Sequence, residues 1–313
     1  MNRLAVLLGL FFAPVLVVAA EPTRMEWTVG DLKREALVSV PESAKASEVP
    51  LVYVWHGHGG TMKHAAATMP FHKLWPEAIV VYAQGVPTPG KLTDPEGKKT
   101  GWQMGAGDHG DRDLKFFDEM QKSLHNDYKI DDKRIFSTGH SNGGGFTYLL
   151  WATRGEAFAA FAPSAAGPGS LKGARDLKPK PCLHVAGEAD PLVKYENQKR
   201  TMEFVRKLNG CDAEGKFWDK GGPLVGTLYE SKTGTPFLSL IHPGDHTYPS
   251  DAPKLIAKFF KEAHVGESLV TPRGPSAMAA FAARTTLRNH FFPFTAFSFD
   301  QHFSQFGTAT MVP

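Results

Sequence analysis

The stretch Arg134-Ile-Phe-Ser-Thr-Gly139-His-Ser141-Asn-Gly143-Gly-Gly-Phe-Thr-Tyr-Leu-Leu150 decides the fold. Its first part is an apolar run of strand length, its last part reads as a helix, and Gly-x-Ser-x-Gly lies between them. Glycines on both sides of Ser141 suit a sharp strand-to-helix turn, where side chains would collide with the neighbouring strand and helix. Such a turn presents Ser141 at the strand's end and aims the N-terminus of the following helix at it. The motif alone is common, and a small residue in a tight turn needs no function. Strand, motif and helix coincide here, so Ser141 is read as a nucleophile.

Working outward, apolar runs of strand length recur at 51–55, 78–83, 134–138, 158–163, 183–186 and 237–241, after an extended pair at 25–29 and 35–40 turned by Gly30-Asp31. Runs that are apolar throughout are buried on both faces, as in a mainly parallel sheet. Helical periodicity lies between them: Leu114, Phe117, Met120, Leu124 and Tyr128 form one stripe, a helix spans 195–208 with a left-handed stop at Asn209-Gly210, and another spans 251–263. The alternation predicts an α/β domain with a mainly parallel central sheet and helices on both faces.

A serine hydroxyl needs a base to take its proton, and the base needs a carboxylate to hold its tautomer. Downstream of Ser141, Leu183-His-Val-Ala-Gly-Glu-Ala-Asp190 is a strand leading to a turn with an acid at its tip. Asp190 is the expected acid, with Glu188 its nearest competitor and a plain turn-building role the alternative. Leu238-Ser-Leu-Ile-His242-Pro-Gly-Asp245-His246 repeats the pattern and puts His246 in the loop before the last helix. His246 is the expected base and His242 a structural residue. For the oxyanion, backbone amides are expected from Asn142 and from the glycine-rich turn His56-Gly57-His58-Gly59-Gly60, through His58 or, in a tighter turn, Gly59. His56 is expected to brace that turn. Trp102 and Tyr248 are candidates to stack on substrate rings.

These residues resemble the exported esterases of the polyhydroxybutyrate depolymerase and feruloyl esterase type, with related acetylxylan esterases. The matching pieces are His56-Gly-His58-Gly-Gly60, Gly101-Trp102-Gln103, Asp113-Leu-Lys-Phe-Phe, Asp132-Lys-Arg134-Ile-Phe, Gly139-His-Ser141-Asn-Gly143, Gly187-Glu-Ala-Asp190 and Gly244-Asp-His246-Thr-Tyr-Pro249. The resemblance implies the α/β-hydrolase fold and acyl transfer through Ser141, Asp190 and His246, with no metal and no cofactor. Such families often carry Cys where this chain has His58, so a disulfide at the oxyanion turn is not expected. The resemblance points to esters, possible polymer fragments among them, as substrates. A peptidase of the same fold and a non-catalytic carbohydrate- or polymer-binding protein are the alternatives.

The bulk composition agrees. The chain has 313 residues, 35 Lys and Arg against 32 Asp and Glu, and a formal charge of +3, which leaves no basic footprint for nucleic acid. Residues 1–20, with Arg3 before an apolar run and Val18-Ala19-Ala20 at its end, are expected to be a cleaved signal peptide, leading to the periplasm or outside the cell. The run is shorter than the roughly 20 apolar residues of a membrane span. Residues 21–264 are then the catalytic domain and 265–313 a Phe-rich tail without periodicity, expected to be disordered. Cys182 and Cys211 are the only cysteines, and either a disulfide or two thiols fits them. His56, His58 and His64 form no recognisable set of metal ligands.

Overall fold

The computed structural model describes residues 19–90, 92–169 and 171–263. Most of the expected signal peptide, His264 and the whole Phe-rich tail lie outside the described residues.

The chain opens with the hairpin β1 (Thr23–Val29) and β2 (Leu32–Ser39), followed by β3 (Val49–Trp55), α1 (Met62–Thr68), α2 (Phe71–Leu74) and β4 (Ile79–Ala83). The short pair β5 (Val86–Pro87) and β6 (Thr100–Gly101) precedes α3 (Arg112–Asp127), β7 (Ile130–His140), α4 (Asn142–Arg154), β8 (Ala160–Ser164) and α5 (Leu171–Asp176). Then come β9 (Cys182–Gly187), α6 (Tyr195–Leu208), the hairpin β10 (Lys216–Gly221) and β11 (Leu224–Tyr229), β12 (Phe237–His242) and α7 (Ala252–Glu262). Ten strands form one sheet in the order β1-β2-β4-β3-β7-β8-β9-β12-β11-β10. The six from β4 to β12 in that order pair in parallel, and an antiparallel pair extends each edge.

The period of two along each central strand sorts its side chains between two cores. Leu51, Tyr53 and Trp55 of β3 and Ile79, Val81 and Ala83 of β4 join one core with residues of α3, α4 and α6. Val52, Val54, Val80 and Tyr82 join the other with residues of α1, α2 and α7. Helices therefore cover both faces, which is why the central strands carry no polar alternation. The expected hairpin, strands and three helices are all present within a few residues, and Gly210 ends α6 at φ 61°. The β10–β11 hairpin was not expected. Its outer strand is largely exposed, with Lys216, Asp219 and Lys220 along it, so it lacks the apolar run that marks the central strands.

Cys182 and Cys211 are free thiols. Burial pushes the Cys182 thiol well up and that of Cys211 up to about 11, so both stay protonated.

Candidate active site

Ser141 sits between β7 and α4 at φ 55°, ψ −118°, a positive φ that a non-glycine residue holds only where its surroundings enforce it. The enforcing contacts are backbone. A Cβ at Gly139 would lie 2.5 Å from Gly143 O and 2.8 Å from Trp55 O, and one at Gly143 would meet Trp55 O and lie 2.6 Å from His56 O. The end of β3, the end of β7 and the first turn of α4 thus touch main chain to main chain, which fixes the serine in place.

His246, in the loop after β12, has Nε2 2.7 Å from Ser141 Oγ and Nδ1 2.8 Å from Asp190 Oδ2. Asp190 accepts through that oxygen, so Nδ1 carries the proton and Nε2 is left to accept the serine's. The three residues singled out from three separate strand ends meet in one chain of hydrogen bonds. Asp190 also builds its own turn: its Oδ1 accepts the amides of Leu192 and Val193, each at 2.9 Å. One buried carboxylate thus accepts both from the amides of its own turn and from His246. Glu188 is exposed.

The glycine-rich turn after β3 packs on the nucleophile, with a Cβ at Gly57 falling 3.6 Å from Ser141 Cβ. The Gly59 amide is committed to Thr100 O at 2.7 Å and the Gly60 amide to Gly57 O at 2.9 Å. Of the two donors weighed from sequence, the Gly59 amide is thus taken up, and His58 remains the candidate oxyanion donor, with the Asn142 amide in the first turn of α4. His56 braces the turn. Its Nδ1 donates to Gly57 O at 2.8 Å and its Nε2 accepts the Gly85 amide at 2.9 Å, while burial lowers its pKa to about 4 and keeps it neutral. The His58 ring reaches the other way, with Nε2 3.1 Å from Asp94 Oδ2. Asp94 also accepts the Lys98 and Lys99 amides, so the 87–101 loop is closed on itself and tied to the oxyanion turn.

Trp102 departs from expectation. It is fully buried, its Nε1 donates to His56 O at 2.9 Å, and its amide and carbonyl are both held by the Asn142 side chain, at 2.7 and 3.0 Å. Its ring packs on Trp55 and Phe146 and presents no face for a substrate to stack on. It is a brace between the oxyanion turn and α4. Tyr248 does line the cleft, 5.3 Å from the His140 ring.

Other contributors were not identified from sequence. His140 lies with its ring centroid 5.0 Å from that of His246, and burial together with His246 lowers its pKa to about 3, so no second positive charge forms beside the base. Gln103 accepts the amides of Asp113 and Leu114 and donates to Gly105 O and Asp111 Oδ1. That holds the segment 107–111, where His109 and Asp111 take positive φ and where Asp108 and His109 reach the cleft. Asp113 pairs with Arg34 at 2.8 Å, both fully buried. Its place between Gly139 and Ser141 was the only local signal for His140.

The cleft over Ser141 measures about 990 Å³ and is bounded by Met69, Pro89, Leu92, Met104, Leu192 and Val193 among others. Apolar walls with few convergent polar groups suit a small organic ligand. Among the described residues no group of three or more His, Cys, Asp or Glu side chains is placed to hold a metal ion. No helix there is long and apolar enough to cross a membrane.

The sheet order, the serine on its strand-to-helix turn and the acid and histidine on later loops define an α/β-hydrolase fold. A solved acetyl xylan esterase from Aspergillus awamori superposes with a TM-score of 0.58 over 76% of this chain and 99% of its own, at 16% identity. In sequence, a bifunctional acetylxylan esterase/xylanase of Neocallimastix patriciarum is 29% identical over 105 residues, 34% of this chain and 16% of that protein. A probable feruloyl esterase C of Aspergillus flavus is 28% identical over 183 residues, 57% of this chain and 63% of that protein. The chain thus spans less than two thirds of the length of these relatives. No family model matches it. The likeness to feruloyl and acetylxylan esterases inferred from the motifs is borne out by these relatives.

Proposed function

We propose that the chain is an exported serine carboxylic-ester hydrolase that releases feruloyl or acetyl groups from plant polysaccharide or its fragments. The observation that carries this reading is the pair of hydrogen bonds at His246, 2.7 Å to Ser141 Oγ and 2.8 Å to Asp190 Oδ2. Ser141 Oγ attacks the ester carbonyl while His246 Nε2 takes its proton, and Asp190 stabilises the imidazolium so formed. The His58 and Asn142 amides receive the developing negative charge. His246 returns the proton to the leaving alcohol, and water then repeats the cycle on the acyl-serine. The relatives' names support the acyl groups, and the basic-then-apolar residues 1–18 support export.

The test is labelling by a fluorophosphonate probe and hydrolysis of p-nitrophenyl acetate, methyl ferulate, acetylated xylan and a hydroxybutyrate oligomer, for the wild type and Ser141→Ala. The reading expects labelling and turnover that disappear in the variant, with ferulate or acetylxylan among the substrates. A folded wild type that neither labels nor turns over an ester refutes it, and preference for the hydroxybutyrate oligomer redirects the substrate assignment.

A further inference from the structure

Beneath the cleft, three polar side chains are buried where apolar ones would pack as well: Tyr148 of α4, His184 of β9 and Gln198 of α6, none more than 1% exposed. Buried polar groups persist only when paired, and these are paired in a line. Gln198 Nε2 lies 3.2 Å from Asp190 Oδ2 and 2.7 Å from Val193 O, two groups that only accept. The amide nitrogen therefore faces them and Oε1 faces away, toward His184 Nε2 at 3.2 Å. His184 must donate there, which leaves its Nδ1 to accept the Tyr148 hydroxyl at 2.9 Å. Burial lowers the His184 pKa to about 4, so at neutral pH the ring carries a single proton, which these bonds place on Nε2.

The line starts on α4, two turns beyond Ser141, and ends on the oxygen of Asp190 that receives His246. With the Ser141–His246–Asp190 bonds it closes a ring that returns to the nucleophile's own helix. The Leu192 and Val193 amides hold Oδ1, so among the described residues Gln198 is the partner of Oδ2 besides His246.

We propose that Gln198 is a positioning residue: its amide fixes the plane of the Asp190 carboxylate, and His184, itself set by Tyr148, fixes which way that amide faces. The proposal rests on the reading of Ser141, His246 and Asp190 as a working triad. Networks of this kind act through direction, since a flipped Gln198 would set an oxygen against both Asp190 and Val193.

The test compares wild type, Gln198→Leu and Gln198→Glu in the full chain, by p-nitrophenyl acetate kinetics across pH, thermal midpoint, and the downfield proton resonance of the His246 Nδ1–H. Gln198→Leu is expected to lower kcat about 10- to 100-fold with KM within about twofold, the size expected when a reacting group is misplaced, and to shift or broaden the resonance. In Gln198→Glu the new carboxyl, buried beside Asp190, donates to it only while protonated. Its kcat relative to wild type is therefore highest at acid pH and falls as pH rises, a trend absent from Gln198→Leu. If Gln198→Leu does not fold, Gln198→Glu carries the test alone. Wild-type kcat and an unmoved resonance in Gln198→Leu overturn the proposal. So does a Gln198→Glu ratio that is flat across pH. The resonance needs no turnover, so a wild type without esterase activity would refute the function while the positioning role was still read.

Discussion

Replacing Trp102 with Phe separates a brace from a stacking platform. The indole Nε1 is bonded to His56 O at 2.9 Å in a fully buried site, so Phe leaves that carbonyl without its partner. An orphaned buried polar group costs about 1–3 kcal/mol. The smaller ring also leaves a void beside Trp55 and Phe146, and the two effects together come to about 2–4 kcal/mol. For a domain of this size about 2–4 °C of thermal midpoint follows each kcal/mol, so a fall of roughly 5–15 °C is expected. His56 O leads directly into the turn that offers the His58 amide. One oxyanion donor is worth about 10²–10³ in kcat, so a loosened one should lower kcat roughly 10- to 100-fold while KM stays within about twofold. Differential scanning fluorimetry and steady-state kinetics on a small aryl ester measure both. A Trp102→Phe variant with wild-type midpoint and kcat but a raised KM would refute the brace and restore substrate stacking.

Two further predictions concern the buried charges. His56 and His184 have pKa values lowered to about 4 and His140 to about 3, chiefly by burial. The unfolded chain binds protons near pH 6.5 that the folded chain refuses, so the stability these groups contribute is complete above about 6.5 and is lost as pH falls toward 4. Urea midpoints should drop steadily from about pH 7 to 5, and a flat profile over that range contradicts the burial of neutral histidines. Arg34→Met removes the ion-pair partner of Asp113 Oδ1, leaving the buried carboxylate the Gln103 amide on Oδ2, and should cost about 3–5 kcal/mol in chemical denaturation. Adding Asp113→Asn should recover part of the loss, and a double variant no more stable than the single one would show that the pair is not what matters there.

The strand-to-helix turn that carries Ser141 was legible because its requirements are local: a strand, two glycines and a helix, all within 17 consecutive residues. Asp190 and His246 could be picked out as its hydrogen-bonded partners because each follows the end of an apolar strand and the order of the three is fixed in this fold. Trp102 was misread as a stacking platform because its ring is covered by Trp55, His56 and Phe146, residues distant from it in sequence. Gln198 gave no signal on a helix with Asn197 and Lys199 beside it, since its meaning comes from a histidine on a neighbouring strand. β11 did carry the period of two, in Leu224, Gly226 and Leu228, but its partner β10 is half exposed and mixes Phe217 and Trp218 with Lys216, Asp219 and Lys220, and a hairpin with one legible strand is easily passed over.

The turn at Asp190 constrains how the selectivity of the cleft can change. Leu192 and Val193 hold the acid by their amides and border the cleft by their side chains. Main chain serves the chemistry and side chain faces the ligand, so the two duties fall on different atoms of the same residues. A mutational library at these positions can vary bulk and polarity without touching the support of the acid, with one residue type barred: proline, which brings no N–H. The shape of this wall can therefore change by substitution while the hold on the Asp190 carboxylate stays as it is.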